Sequence, residues 1–306
     1  MTRDEASAAH DQLVPILEIG GTHVTTAWAT ELGQVEVRDR VDIDNGAPAE
    51  ELLAAFVEAG RGLAAPAGDV WGVAVPGPFD YAGGIGDFRG VDKFGHLHGV
   101  DVGAALREGL AATEVHFIND ADAFGVGEWM AGSLRGTRRG VGITIGTGIG
   151  SAFIDAGVPV VSGPDVPTMG EVHTVSRDGV PLEELCSRGA LREIYRSRTG
   201  RWWDVKEIAE AAYAGDPDAL ATFDQSYADL AEVLTPVLRT FGAEALVLGG
   251  SIAQSTELVD RFFTARLAAG PGGAPLPVSI ADDPVRSAIV GAAHWVHVRS
   301  AGAGGY

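Results

Sequence analysis

The spacing of apolar and polar positions gives the chain two similar openings. Residues 13–19 form an apolar run, Gly20-Gly21-Thr22 interrupts it, and residues 23–29 resume it with β-branched positions. This predicts two strands around a tight turn. Residues 35–43 predict a third strand. Pro48 suits the first turn of a helix, and Leu52, Leu53, Phe56, Val57, Gly60, Leu63 and Ala64 follow at helical spacing. Residues 70–75 are a fourth strand ending in Pro76-Gly77-Pro78, 81–99 a glycine-rich loop, and 102–110 a short helix. The next strand turns polar at Asn119-Asp120 and runs on as a helix. The opening then recurs: strand 140–145, turn Gly146-Thr147-Gly148, return strand 149–154. Beyond it the pattern predicts a loop over 155–181, helices over 182–196 and 205–214, and a long helix from Pro217. That helix carries an apolar stripe from Leu220 to Phe241, and Pro236 should kink or break it. A strand at 245–248 runs into Gly249-Gly250-Ser251 at the start of another helix, and strand 278–280 and helix 286–298 close the pattern.

The repeated opening predicts an internally duplicated α/β domain with a cleft between the copies. Its 306 residues are enough for two lobes with a sizeable core. No apolar run is long enough to span a bilayer. The polar, acidic first dozen residues lack the parts of a signal peptide, so a flexible leader and a cytoplasmic setting are expected. One cysteine, Cys186, excludes an internal disulfide framework and a multi-cysteine zinc site. The net charge of −20 argues against nucleic acid and other long polyanions as partners. It leaves room for a nucleotide, whose phosphates backbone amides and a metal ion can hold.

Asp120 sits where a buried strand gives way to a helix, the place where open α/β sheets put their chemistry. Two readings stay open for it: a carboxylate poised as a base, or a helix cap. The three glycine turns, 20–22, 146–148 and 249–251, each follow an apolar strand. Glycine lets amides approach phosphate oxygens closely, and threonine adds a donor; a hairpin also uses glycine for shape alone. None of the three is a Walker loop or a Gly-x-Gly-x-x-Gly dinucleotide pattern.

Glu18-Ile19-Gly20-Gly21-Thr22 resembles the first phosphate motif of the sugar kinase, actin and heat-shock-protein superfamily. With Asn119-Asp120-Ala121-Asp122-Ala123, Gly127-Glu128, Gly146-Thr147-Gly148-Ile149-Gly150 and Gly170-Glu171, the set resembles the ROK family of repressors, open reading frames and sugar kinases, in order from about Leu13 to His297. The resemblance implies two actin-like (ribonuclease H-like) α/β lobes from a duplicated β-β-β-α-β-α unit. The small lobe would cover 13–119, completed by helix 284–298, the large lobe 120–283, with flexible tails at 1–12 and 300–306. It implies an ATP-dependent kinase for the 6-hydroxyl of a hexose, with ATP and Mg²⁺ as cofactors and a homodimer as the common assembly. On that reading Asp120 is the base. Gly77, Asn119, Glu171, His173 and Glu183 bind the sugar with it. Gly20, Gly21, Thr22, Gly146, Thr147 and Gly148 hold phosphates, Gly249 and Gly250 flank the adenosine, and Glu18 contacts Mg²⁺ indirectly.

Three departures from the family pattern follow. Glu18 stands where most family kinases have Asp. The zinc motif, one His and three Cys, is missing, so no zinc is expected; His173 lies out of register with the family's histidine. The stretch 88–98 departs from the family's Asn-Leu-x-x-Trp segment and offers Lys93, His96 and His98 near the sugar. Zinc-free relatives include kinases of amino sugars such as kanosamine and polyphosphate-dependent glucokinases; the acidic composition argues against the latter. The alternatives to a kinase are a sugar-binding protein without turnover and a repressor. The repressor would need a helix-turn-helix ahead of Leu13, where a dozen polar residues give it no room.

Overall fold

The computed structural model describes residues 12–91, 93–267 and 275–302. Residues up to Arg135 together with those from Val285 onward form one compact unit, and Gly136–Pro284 a second. Among the described residues no helix is long and apolar enough to cross a membrane. Of the expected tails, residues 1–11 and 303–306 lie outside the described residues, while Ser300 is the last residue of the closing helix.

The first unit opens with β1 (Val14–Ile19), β2 (His23–Ala29) and β3 (Val35–Asp42), followed by α1 (Ala49–Arg61), β4 (Val70–Val75), α2 (Val102–Gly109), β5 (Glu114–Asn119) and α3 (Asp120–Ala131). The sheet order is β3-β2-β1-β4-β5. β1 is buried at every position, as a central strand covered on both faces must be. It pairs antiparallel with β2 and parallel with β4, which pairs parallel with β5. Leu52, Phe56 and Leu106 from α1 and α2 pack into one core with Leu17, Val73 and Phe117.

The second unit repeats this plan. β6 (Arg139–Ile145) and β7 (Ile149–Asp155) form its hairpin, and β8 (Val158–Pro159) adds a short edge. After the small hairpin β9 (Ser176–Arg177) and β10 (Val180–Pro181) come α4 (Leu182–Cys186), α5 (Arg188–Thr199), α6 (Val205–Tyr213) and α7 (Pro217–Phe241). β11 (Ala245–Gly249), α8 (Thr256–Phe262) and β12 (Val278–Ile280) complete it. The order β8-β7-β6-β11-β12 carries the same alternation of antiparallel and parallel pairs as the first sheet. The duplication expected from the repeated glycine turns is therefore present in the topology.

α9 (Pro284–Ser300) returns to the first unit. There it lies against α3 backbone to backbone: a Cβ at Gly127 would fall 1.8 Å from the Ser287 carbonyl oxygen, and one at Gly291 would fall 1.9 Å from that of Ala123. Ser287 Oγ donates to Glu128 at 2.6 Å, and Trp295 Nε1 donates to the Phe117 carbonyl at 2.9 Å. This packing sets the unit boundary after Arg135, whereas the sequence reading draws it after Asn119. Small residues bind α3 to α9, a contact that no local pattern announces.

Three element expectations change. The helix expected over 182–196 is two helices, because Ser187 adopts extended angles and caps α5 through Ala190 N. α7 continues through Pro236 without a break. The helix expected to start at the Gly249-Gly250 turn starts at Thr256.

Candidate active site

In the first unit β5 ends at Asn119, whose Oδ1 accepts from Ala121 N at 2.9 Å and Asp122 N at 3.2 Å. Asn119 is thus the N-cap of α3, and the helix-cap alternative for Asp120 gives way: Asp120 is the first helical residue. Its Oδ1 accepts from Ala121 N at 2.9 Å. Burial pushes its acid above the usual carboxylate range, opposed by the Lys93 cation and the amides of the helix start. Asn119 Nδ2 donates to Tyr81 Oη at 2.8 Å. A Cβ at Gly77 would lie 3.2 Å from that hydroxyl and 3.7 Å from Asn119 Nδ2. Gly77, Asn119 and Asp120 thus converge at the carboxyl ends of β4 and β5, where Val75 pairs with Asn119. Lys93 is exposed but felt electrostatically at Asp120. His98 lies 3.5 Å from Asp87, and His96 is exposed.

The first glycine turn joins β1 to β2, with Gly20 N donating to the His23 carbonyl at 2.8 Å. A Cβ at Gly21 would meet nothing within 4 Å, so the turn presents open backbone. Asn45 Nδ2 donates to the Gly21 carbonyl, and the Asn45 carbonyl accepts from Phe94 N at 3.0 Å, tying the turn to the Lys93 loop. Glu18 is buried at the end of β1, and burial pushes its acid up to about 7, with the Asp120 carboxylate adding to the rise. Its Oε2 lies 3.8 Å from His23 Nε2, and among the described residues neither atom makes a hydrogen bond. Arg40 donates to His23 Nδ1 at 3.2 Å. An arginine has only donors, so Nδ1 accepts and the imidazole proton sits on Nε2, toward Glu18.

In the second unit Gly146 N donates to the Gly148 carbonyl at 2.9 Å to close the turn between β6 and β7. Glu183, from α4, braces it: Oε2 accepts from Ile149 N at 3.1 Å, and a Cβ at Gly148 would fall 2.6 Å from that oxygen. Arg188 N, at the start of α5, donates to the Gly146 carbonyl at 2.8 Å. The Gly249-Gly250 turn packs on the same strand end. Gly250 has φ +84, and a Cβ there would fall 2.4 Å from the Ile145 carbonyl oxygen. Gly146, Thr147, Gly148, Gly249 and Gly250 are therefore gathered around Ile145.

Glu171 and His173 share a surface segment of that unit, with His173 Nε2 3.9 Å from Glu171 Oε2. Ser151 on β7 fixes the segment, donating to the Gly170 carbonyl at 2.6 Å and accepting from Val172 N at 3.0 Å. Beyond it the β9–β10 hairpin turns on Asp178-Gly179, both at positive φ, as a two-residue hairpin turn requires. Arg177 pins this hairpin to Asp229 and, at 3.4 Å, to Glu232 of α7. Among the described residues no three His, Cys, Asp or Glu side chains are grouped to hold a metal ion. Cys186 lies buried with Sγ 3.1 Å from the Ser226 carbonyl oxygen, and burial pushes its thiol up to about 12. It behaves as a small packed residue.

Tyr81, Asn45, Ser151, Arg188 and the His23–Arg40 pair escaped the sequence reading. Asn45 had a faint signal in the turn pattern Asp44-Asn45-Gly46. The others owe their places to contacts distant in sequence, such as the pairing of β2 with β3 that puts Arg40 beside His23.

The ROK family model matches residues 16–299. A glucokinase of Thermotoga maritima is 26% identical over 271 residues, 79% of this chain and 83% of that protein. Among solved structures, an inorganic polyphosphate/ATP-glucomannokinase from an Arthrobacter strain is 25% identical with a TM-score of 0.68, covering 94% of this chain and all of that one. A ROK family glucokinase from Streptomyces griseus, solved with glucose and AMPPNP, is 21% identical with a TM-score of 0.71, covering 92% of this chain and 98% of that one. With its two topologically equivalent sheets and a family match over nearly its whole length, the chain belongs to the ROK family.

Proposed function

We propose that the chain is an ATP-dependent sugar kinase that transfers the γ-phosphate to the 6-hydroxyl of a hexose, either glucose or an amino-hexose such as kanosamine. The observation that carries this reading is the state of Asp120. It is freed from capping by Asn119, and burial makes its carboxylate more basic than usual, the tuning a base needs to take a hydroxyl proton near neutral pH. Gly77 and Asn119 beside it offer close approach and an amide for a sugar, and Glu171, His173 and Glu183 are the proposed sugar contacts of the second unit.

ATP fits the glycine turns. Cβ atoms at Gly21 and Gly146 would stand in open space, so phosphate oxygens can approach the backbone of both turns closely, although Gly146 N itself is engaged by the Gly148 carbonyl. Mg²⁺ fits the first unit: Glu18 is a buried carboxylate with an oxygen that makes no hydrogen bond, and a nearby cation would offset its desolvation. Glu18 would hold the ion through its water shell. When bound, the metal neutralises phosphate charge, the main demand of phosphoryl transfer. Asp120 takes the hydroxyl proton, Asn119 orients the sugar, and the amides around Gly146 and Thr147 hold the phosphates in place.

The test is ADP release with MgATP across glucose, mannose, fructose, N-acetylglucosamine, N-acetylmannosamine and kanosamine. A sugar-dependent response is expected, strongest for glucose or kanosamine. Sugar binding without ADP release across the whole panel would overturn the kinase reading in favour of a binding protein.

A further inference from the structure

Among the described residues of the second unit, Asp229 is the one charged side chain that is buried. It lies on α7 between Tyr227 and Leu230, in the stripe that packs into the core. A helix face of this kind is otherwise apolar, and a charge taken out of water is strongly unfavourable unless it is paired. The partner is Arg177, whose Nη1 donates to Asp229 Oδ1. Arg177 does not come from a neighbouring turn of the helix. It comes from the β9–β10 hairpin, 52 residues earlier in the chain.

That hairpin is the middle of a segment, 170–183, that carries Glu171, His173 and Glu183. The segment has little regular structure: short 3₁₀ turns, strands of two residues and the start of α4. Its base is held by Val172, Val175 and Leu182, which pack on the core, and by Leu182 N donating to the Val175 carbonyl at 2.9 Å. Ser151 fixes its start, and Ile149 N holds Glu183 at its end. Between these points the hairpin tip is exposed at Asp178 and Val180. A two-stranded hairpin this short is not stable alone. Arg177 is the side chain that reaches back from it to α7, to Asp229 and, at 3.4 Å, to the exposed Glu232. Its Nε lies 3.7 Å from Asp178 at the tip.

We propose that Arg177 is a positioning residue: its bridge to Asp229 docks the β9–β10 hairpin on α7 and so sets the segment that presents Glu171 and His173 before the hairpin and Glu183 after it. The inference rests on reading those three side chains as sugar contacts. A buried ion pair adds little stability over an apolar pair of similar size, so its value lies in where it holds the chain. The guanidinium fork fixes a direction, whereas apolar contact is non-directional. Glu232 and Asp178 are solvated, and exposed pairs of that kind hold little.

The experiment measures sugar and nucleotide binding separately by calorimetry, with glucose and kanosamine in one arm and AMPPNP with Mg²⁺ in the other. It also follows amide hydrogen exchange of the ligand-free protein. Arg177→Gln should weaken sugar binding at least about 10-fold, because the hairpin loses its dock and Asp229 is left unpaired, while nucleotide binding stays as in the wild type. Exchange at Val172, Val175 and Leu182 should speed up at least about 10-fold through local opening, with Ile143 and Leu248 unchanged. Arg177→Met/Asp229→Leu separates position from stability: it removes the unpaired charge, so its melting midpoint should return to that of the wild type while its sugar binding stays weak. Glu232→Gln should bind both ligands as the wild type does. The proposal is overturned if the Met/Leu pair restores sugar affinity together with stability, if Arg177→Gln weakens sugar and nucleotide alike, or if exchange in the segment does not change. A wild type that binds neither sugar, with the segment loosened as expected in Arg177→Gln, would overturn the sugar reading and leave the docking of the hairpin standing.

Discussion

The two glycine hairpins are built on one plan and have different electrostatic surroundings. In the first, β1 ends Glu18-Ile19-Gly20; in the second, β6 ends Thr144-Ile145-Gly146. Glu18 thus has Thr144 as its counterpart, and His23 has Ile149. Around the first turn lies buried charge: Glu18 with an acid pushed up to about 7, His23 held by Arg40, and the Asp120 carboxylate adding to the strain on Glu18. Around the second turn the strand ends are uncharged, and the carboxylate of Glu183 accepts from Ile149 N. On the proposed function the first turn would serve a cation and a proton and the second the anionic phosphates. The contrast follows from what each side chain faces, since both backbones are the same hairpin.

The sharpest way to break this comparison is Asp120→Asn. If the first unit carries the proton chemistry, turnover should fall about 10²–10⁴-fold. Sugar affinity by calorimetry should stay close to wild type, because Asn119 retains its cap and its bond to Tyr81. A change of less than a few-fold would remove Asp120 as base. The raised acid of Asp120 adds a pH signature: as pH falls, the rate should begin to drop above the range of an ordinary aspartate.

Much of this was open to the sequence because it is local. Strands with glycine turns, the strand-to-helix switch at Asn119-Asp120 and the duplication all sit within short windows. What stayed hidden depends on partners far along the chain. Ser187 splits a helix whose apolar spacing looks continuous, since it caps from an extended backbone. Glu183 reads as a sugar ligand by motif, yet the fold commits one of its oxygens to Ile149 N.

Glycine substitutions sharpen the comparison at the level of the turns. At Gly250, an alanine must adopt φ +84 and overlap the Ile145 backbone. The left-handed conformation costs about 1–2 kcal/mol and the overlap about as much again, so Gly250→Ala should lose roughly 3 kcal/mol in a denaturant melt. Gly21→Ala meets nothing within 4 Å, so its melt should match wild type while the KM for ATP rises, as a methyl blocks the approach of phosphate to the amide. A Gly21→Ala protein that is destabilised with its ATP KM unchanged would show that the first turn uses glycine for shape alone.

A pH-dependent effect attaches to the buried carboxylate itself. Glu18 has a folded acid constant of about 7 against 4.5 for a free side chain. A carboxyl group whose value is raised by folding contributes most below its unfolded value, and the contribution drains away as pH climbs to the folded value. Wild-type stability should therefore fall between about pH 4.5 and 7 and level off above, by an amount no larger than about 3 kcal/mol. Glu18→Gln cannot ionise, so its stability advantage over wild type should grow from pH 5 to pH 8 when both are melted in EDTA. Adding Mg²⁺ with a non-hydrolysable nucleotide should shrink that gap for the wild type if Glu18 faces the ion's water shell. A gap that stays flat across this range would mean that Glu18 carries its charge without strain, and the first turn would then be no more electrostatically loaded than the second.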